Sequence, residues 1–317
     1  MKKKIGVFFL YVAILTICVS CSSKKDMQIV EVVDIHILLQ KVDSINAYFV
    51  KEHNISGNQC VLLKSPLESD SIQQANAQNV FMADAIGFWS GAVLGAGTGL
   101  VIGTIICPGA GSLAGASLDF ISGGLANAVV CSIVTAKHNN WVALQEDEPQ
   151  WDCGEWINYA NNMLFEDEIL GSNIGWYHND IIQNIWSNSL YASSYEDMSD
   201  YMVAYMENNQ FFEFEDRELF ISFVQQQFLF MSNEPQNYIL QDFDTMEYQQ
   251  IVEGYMATIV QIEEEARYDY THSIMEEISQ FGLDDENTFM LNGTISTYYY
   301  STQLWNMNAV NNLLNEN

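Results

Sequence analysis

The sequence predicts an all-α protein, a helical bundle with a central glycine-rich helical hairpin. Apolar residues recur at helical spacing in most segments, no segment alternates convincingly between apolar and polar residues, and five glycines follow one another at intervals of four. An apolar fraction of 49% is sufficient for a buried core, and 13% aromatic residues argue against general disorder.

The charge of the chain excludes one class of partner. There are 41 acidic and 11 basic residues, which give a net charge of -30. Nucleic-acid binding requires clustered lysines and arginines, so we expect no nucleic-acid partner. After His138, Arg217 and Arg267 are the only lysine or arginine residues, so the acidity belongs to the C-terminal half.

The N-terminus has the layout of an export signal. Lysines follow Met1, residues 5–17 are mostly apolar, and small residues come next. The stretch Val19-Ser20-Cys21 resembles the lipobox of bacterial lipoproteins, although Cys18 stands where that family prefers leucine. Residues 1–20 are therefore predicted to be a signal peptide.

The lipobox resemblance implies that Cys21 is the lipid attachment site. It would carry diacylglycerol and an N-acyl chain such as palmitate, and several acyl chains give a stable anchor in a lipid bilayer. Ser22 is not aspartate, so the resemblance favours the outer membrane of the cell envelope over the inner membrane. A plain secreted protein and an uncleaved anchor helix remain the alternatives.

The rest of the chain divides into three parts. Residues 21–79 are predicted to contain the lipid anchor, a helix over 31–51 and a linker. Residues 80–137 form the predicted glycine-zipper hairpin. Residues 138–317 form the predicted acidic helical domain.

The predicted hairpin has almost no charge. Residues 85–118 and 120–136 carry no charged side chain, and Cys107-Pro108-Gly109 is a strong turn signal between them. This pattern predicts two helices, over about 82–106 and 112–136. At about 1.5 Å per residue, each is long enough to cross a bilayer core of about 30 Å.

Small residues form a row along each arm of the hairpin. They resemble the glycine zippers of envelope lipoproteins and pore-forming bacteriocins. The resemblance implies close helix packing and association with a membrane, and it allows packing between copies of the chain in a homo-oligomer. Asp119 and Asn127 interrupt the second row as a polar seam. The predicted helix-packing residues are Gly87, Gly91, Gly95, Gly99 and Gly103 in the first arm, and Gly111, Gly115 and Gly123 in the second.

Two environments remain open for this hairpin. Its length, its lack of charge and the lipid anchor favour contact with a membrane. Alternatively, it is the buried centre of a bundle covered by the acidic helices. Asp119 would line an oligomeric seam or pore in the first case, and would be a buried or protonated residue in the second.

The C-terminal half is predicted to be entirely helical. Ser193 and Glu196 form a capping box that would begin a helix over about 194–209. Asp244 would begin one long helix that continues to Phe281. Further helices are expected over 175–190, 219–231 and 288–312.

No catalytic, metal or cofactor motif is found, so we expect a protein that is not an enzyme and has no cofactor. Asp269 and His272 are the closest approach to a di-iron pair, and they stand alone. His178 is interpreted as a packed residue at a helix start, with a binding role as the alternative. Cys60 and Cys153 flank the hairpin and are a candidate disulfide, for which Cys131 is a competitor.

The sequence therefore leaves three functions open. The first is an acylated envelope lipoprotein whose hairpin packs or associates in or at a membrane. The second is a membrane-active, toxin-like protein that shields its hairpin until insertion. The third is a tethered helical binding domain in which the glycine-rich hairpin is the core.

Overall fold

Nine α-helices make up most of the chain that the computed structural model describes. The described residues are 34–53, 80–92, 118–138, 143–144, 151–152, 163–165, 169–187, 194–209, 216–233 and 246–305. In chain order the helices are α1 (Ile35–His53), α2 (80–92), α3 (Leu118–His138), α4 (Ile174–Ser187), α5 (Tyr195–Asn208), α6 (Arg217–Asn233), α7 (Met246–Ile259), α8 (Arg267–Gln280) and α9 (Asp285–Leu304).

The predicted all-α class is confirmed. Extended structure within the described residues is limited to two strands of two residues each, β1 (Ala143–Leu144) and β2 (Trp151–Asp152). They pair antiparallel, with Ala143 opposite Asp152 and Leu144 opposite Trp151. The nine helices therefore carry the architecture, which is the helical bundle that the apolar spacing predicts.

Three helices lie inside the bundle with almost no face toward water. In α2 every described residue except Met82 is buried, and in α3 every residue from Ile121 to Val134 is buried. In α9 the buried stretch runs from Thr288 to Thr302. A helix that is buried on all sides cannot be amphipathic, and the low charge of these segments follows from that position.

Amphipathic helices surround this centre. Helix α1 packs on α7 and α8 through Leu38, Val42 and Phe49. Helix α3 lies against α4 and α6, and α9 lies against α4, α7 and α8. The buried apolar side chains of all nine helices join into one hydrophobic core.

The prediction of one long helix ending at Phe281 is wrong. The chain turns back after Ile259, passes through a short 3-10 helix (Glu264–Ala266) and begins α8 at Arg267. The rings of Tyr255 and Tyr270 consequently stack with centroids 5.3 Å apart. On one straight helix, 15 residues would separate them by about 22 Å. The apolar spacing continues in phase through the turn, so periodicity alone could not reveal it.

Two helix starts show how side chains fix the boundaries. Ser194 caps α5, where its hydroxyl accepts a hydrogen bond from the backbone N–H of Asp197 at 3.1 Å. The predicted cap, Ser193, is therefore wrong by one residue. Asp284 caps α9 in the same way, with the N–H of Asn287 at 2.8 Å. Each cap satisfies a backbone donor that the helix itself leaves unpaired.

The described parts of the predicted hairpin are helical. They cover 80–92 of the first arm and Leu118–His138 of the second, whereas residues 93–117 lie outside the described part of the chain. No helix among the described residues combines the length and the apolar character needed to span a bilayer.

Helices α2 and α3 approach each other closely at glycine. A Cβ atom on Gly91 would lie 2.3 Å from the carbonyl oxygen of Gly123 and 2.4 Å from Cβ of Asn127. A Cβ atom on Gly87 would lie 2.6 Å from Sγ of Cys131. Successive glycines of α2 thus meet positions progressively earlier in α3, which makes the two helices antiparallel neighbours.

We predict that Gly91→Ala lowers the free energy of unfolding by about 1–3 kcal/mol, because the added methyl group meets backbone atoms that cannot rotate away. The matched control is Gly254→Ala in α7. The nearest atom to a Cβ there is the flexible amide nitrogen of Asn46, at 3.1 Å. Helix propensity alone would make the control neutral or stabilising by up to about 1 kcal/mol.

Urea unfolding of the three proteins, followed by circular dichroism, checks this expectation. Equal unfolding free energies for the two alanine variants would contradict a tight contact between α2 and α3.

Candidate functional site

A buried carboxyl group lies where four helices meet. Asp84 of α2 is fully buried. Its Oδ2 accepts a hydrogen bond from Oγ of Ser132 in α3 at 2.9 Å and another from Oγ of Ser301 in α9 at 2.5 Å. Its Oδ1 has no hydrogen-bond partner among the described residues. Nε2 of His178 in α4 lies 3.6 Å from Oδ2.

The hydrogen bonds around His178 assign its tautomer. Asn179 donates from Nδ2 to the carbonyl oxygen of Tyr300 at 2.7 Å, so its Oδ1 is an acceptor. That oxygen lies 3.0 Å from Nδ1 of His178, which must therefore carry the hydrogen. In the neutral ring, Nε2 then holds the lone pair on the side of Asp84.

Burial opposes charge on both groups. Desolvation raises the pKa of Asp84 well above its usual value, and the hydroxyls of Ser301 and Ser132 oppose this only in part. Desolvation also lowers the pKa of His178 to about 4, although the Asn179 side chain and, to a smaller extent, the Ala128 carbonyl favour the charged ring. The site therefore favours a neutral imidazole next to a protonated carboxyl group.

A second group of polar contacts lies one turn further along α2. Asn127 of α3 donates from Nδ2 to the carbonyl oxygen of Gly87 at 3.0 Å and to Oγ of Ser90 at 3.1 Å. Cys131 is a buried free thiol beside Gly87. Burial raises the pKa of that thiol, and so does the nearby Asp84, which makes Cys131 a poor nucleophile.

The types of residue around Asp84 are those of a catalytic triad, but their order is different. In a triad a serine hydroxyl contacts the histidine, whereas both serines here donate to the aspartate. Asp84, Ser132, His178 and Ser301 are also fully buried, so a substrate has no access to them in this conformation. The arrangement can hold a proton and join helices, and it has no contact between a nucleophile and a base.

The structure brings some predicted site residues together and leaves others undescribed. Gly87, Gly91, Gly123 and Asn127 lie along the contact between α2 and α3. The side chain of Asp119 lies outside the described residues. The same holds for Cys21, Cys60, Cys153, Gly95, Gly99, Gly103, Gly111 and Gly115.

The described residues offer no metal site, since no three histidine, cysteine, aspartate or glutamate side chains among them are placed to hold an ion. His272 has Glu276 as its acidic neighbour, with Nδ1 3.9 Å from Oε2. His178 is packed in α4, which starts at Ile174, and its neighbours belong to the protein core.

Sequence reasoning missed Asp84. In the sequence, Asp84 directly precedes the uncharged segment 85–118. The available signal was its isolation, because it is the only ionisable side chain in residues 80–92. A single carboxyl group on an otherwise apolar helix requires polar partners from neighbouring helices. Periodicity does not identify those partners, which come from three distant parts of the chain.

Comparison of the chain with family models, with curated proteins and with solved structures finds no match.

We predict that Asn127→Leu lowers the free energy of unfolding by about 1–3 kcal/mol, because it removes the amide donor to two buried oxygen atoms of α2. The control is Asn184→Ala. The Asn184 side chain donates only to the carbonyl oxygen of Asp180 in its own helix, so we expect a change within about 0.5 kcal/mol. Chemical denaturation of both variants provides the measurement, and a neutral Asn127→Leu would show that this contact does not hold α2 to α3.

Proposed function

We propose that the protein is an exported, acylated lipoprotein of the cell envelope. It is non-enzymatic and anchored through Cys21, and its helical bundle encloses the described parts of the glycine-rich hairpin, 80–92 and 118–138. The observation that carries the anchoring is the basic, apolar and small-residue layout of residues 1–20, followed at once by Cys21. The outer membrane is the preferred location, because Ser22 stands where aspartate would favour retention.

The geometry supports a protein in which the lipid anchor alone attaches to the membrane and the bundle keeps its buried helices inside. Most described residues of α2 and α3 are buried against other helices, and Asp84, Asn127 and Ser132 form hydrogen bonds inside the protein. In this conformation these two helices offer little surface to lipid. Attachment to the bilayer then depends on the acyl chains. Several acyl chains on one cysteine are sufficient for a stable anchor.

A non-enzymatic role is supported by the chemistry of the described site. Its one Asp-His pair is buried away from substrate, and the serines beside it are donors to the carboxyl group. We therefore propose that the bundle acts through its surface. That surface is acidic, since the C-terminal half carries most of the negative charge of the chain.

A membrane-active role is the second candidate, and one observation favours it. The two buried helices α2 and α3 come from a segment almost free of charge, and amphipathic helices separate them from water. A hairpin of this kind is suited to a bilayer if the shell opens. In this second role the bundle would shield the hairpin until it meets its target membrane.

We predict that cells fed labelled palmitate incorporate the label into the wild-type protein and that Cys21→Ser abolishes it, because Cys21 is the proposed acylation site. The matched control is Cys18→Leu, which places the residue preferred by lipoboxes three positions before the cut and should retain the label. Label that persists in Cys21→Ser, or an unlabelled wild type in the soluble fraction, would remove the lipoprotein proposal.

We predict that the non-acylated chain, residues 22–317, remains monomeric in buffer and does not float with liposomes of mixed neutral and anionic lipid. The reason is that most described residues of α2 and α3 are already buried against other helices of the bundle. Size-exclusion chromatography and a flotation gradient give the readout. Flotation together with dye release would favour the membrane-active role over the first proposal.

A further inference from the structure

Among the residues that the structure describes, no lysine or arginine is a neighbour of Asp84. From α4 it faces His178, from α3 it faces Ser132 and the thiol of Cys131, and from α9 it faces Ser301. The Trp305 indole also lowers the pKa of the carboxyl group, to a smaller extent than the two serine hydroxyls. His178 and Cys131 are thus the titratable neighbours.

Several other described ionisable groups of these helices have partners elsewhere. Asp180 of α4 accepts a hydrogen bond from the Tyr205 hydroxyl at 2.6 Å. Lys137 of α3 is exposed and lies 3.1 Å from the Tyr195 hydroxyl. The tyrosines of α9 pack against aromatic side chains: Tyr298 against Phe81, and Tyr299 and Tyr300 against Phe165.

We propose that Asp84 and His178 hold one proton between them, and that this proton fastens α2 inside the bundle. With the proton present, the pair is neutral overall and can be buried among the hydroxyls of Ser132 and Ser301. Without it, a carboxylate remains in the core with two hydroxyl donors and no cation. The arm formed by α2 then loosens from α3, α4 and α9 as the pH rises.

The direction of this effect follows from the protons bound by the folded and unfolded chains. The pKa of Asp84 is raised in the folded protein, so between the usual pKa and the folded pKa only the folded chain holds this proton. Stability from Asp84 is therefore fully present below the usual pKa of 3.8 and is lost as the pH rises toward the folded pKa.

His178 changes the pH at which this loss of stability becomes visible in the wild type. His178 is lowered from a usual pKa of 6.5 to about 4, so in the unfolded chain it takes up a proton below about 6.5. Between the two usual values of 3.8 and 6.5, the unfolded pair holds one proton, and the folded pair also holds one for as long as Asp84 keeps its proton. The pair therefore contributes little pH dependence in this acidic range and weakens the fold above about pH 6.5. This is an alkaline release of α2.

The buried thiol of Cys131 reports on this release, because it faces Gly87 of α2. The experiment uses the mature chain with Cys21, Cys60, Cys107 and Cys153 replaced by serine, so that Cys131 is the only thiol. Its labelling rate with a maleimide is measured between about pH 6.5 and 8.5. The rate in urea at each pH gives the reactivity of the exposed thiol, and the ratio of the two rates gives the opening equilibrium.

We expect this ratio to rise with pH, by up to about tenfold per pH unit, which is the slope for one proton. In Asp84→Asn the amide oxygen can still accept from Ser132 and Ser301, but the group no longer titrates. The ratio of the opening equilibria, parent over Asp84→Asn, should therefore increase with pH. A ratio of opening equilibria that does not change with pH would overturn the proposal, and so would an Asp84→Asn variant that opens as steeply as its parent.

The parent measurement keeps the proposal testable if Asp84→Asn does not fold, because the reference in urea needs no variant. Nuclear magnetic resonance of the His178 ring gives an independent readout. The ring should remain neutral and protonated on Nδ1 from about pH 5 to 8. A ring that is charged at neutral pH and loses its charge on alkalinisation would overturn the assignment of a neutral imidazole beside a protonated carboxyl group. A ring protonated on Nε2 would overturn the assignment of the pair.

Discussion

A carboxyl group on a helix with no water-facing side constrains four helices at once. Asp84 cannot reach solvent, so its hydrogen bonds come from side chains on α3 and α9, and the imidazole beside it comes from α4. A buried polar group without partners costs a large part of the stability of a domain. The relative positions of Ser132, Ser301 and His178 are therefore a condition for burying α2.

Close contact at glycine is the second condition for this arrangement. Each glycine in a helix interior costs about 0.8–1.0 kcal/mol relative to alanine. Gly91 gains a contact with the backbone of α3 that no other residue permits, and Gly175 gains a similar contact with the backbone of α9 near Ser296. Phe88 fills the space above Gly293 in the same manner. Glycine thus brings the central helices close enough for the short side chains of serine and asparagine to bridge them.

The sequence predicts the elements well and their boundaries less well. The class follows from apolar spacing, the described parts of both hairpin arms from their lack of charge, and α5 from its capping box. The helices that became α1, α4, α6 and α9 are also predicted. The break between α7 and α8 is not, because Ile259, Ile262 and Ala266 continue the pattern through the turn. That turn is set by tertiary contacts, among them the backbone N–H of Glu263 donating to the carbonyl oxygen of His53 at 3.1 Å.

The site is less predictable than the fold for a related reason. A low charge density marks a helix that avoids water, and both a bilayer and a protein core satisfy that condition. The two environments differ in the partners that they offer to the few polar groups of the helix. Asp84, Ser90 and Asn127 have their partners inside the hairpin and on the helices that cover it.

Those partners decide how the hairpin is held. Asn127 and Ser132 both lie on α3 and would move with α2 if the hairpin left the bundle as a unit. Ser301 and His178 lie on α9 and α4 and would be left behind. Departure of the hairpin therefore separates Asp84 from one of its two hydroxyl donors and from its imidazole neighbour. Asp84, the one ionisable residue in 80–92, is therefore a point at which the hairpin is hydrogen-bonded to the rest of the bundle.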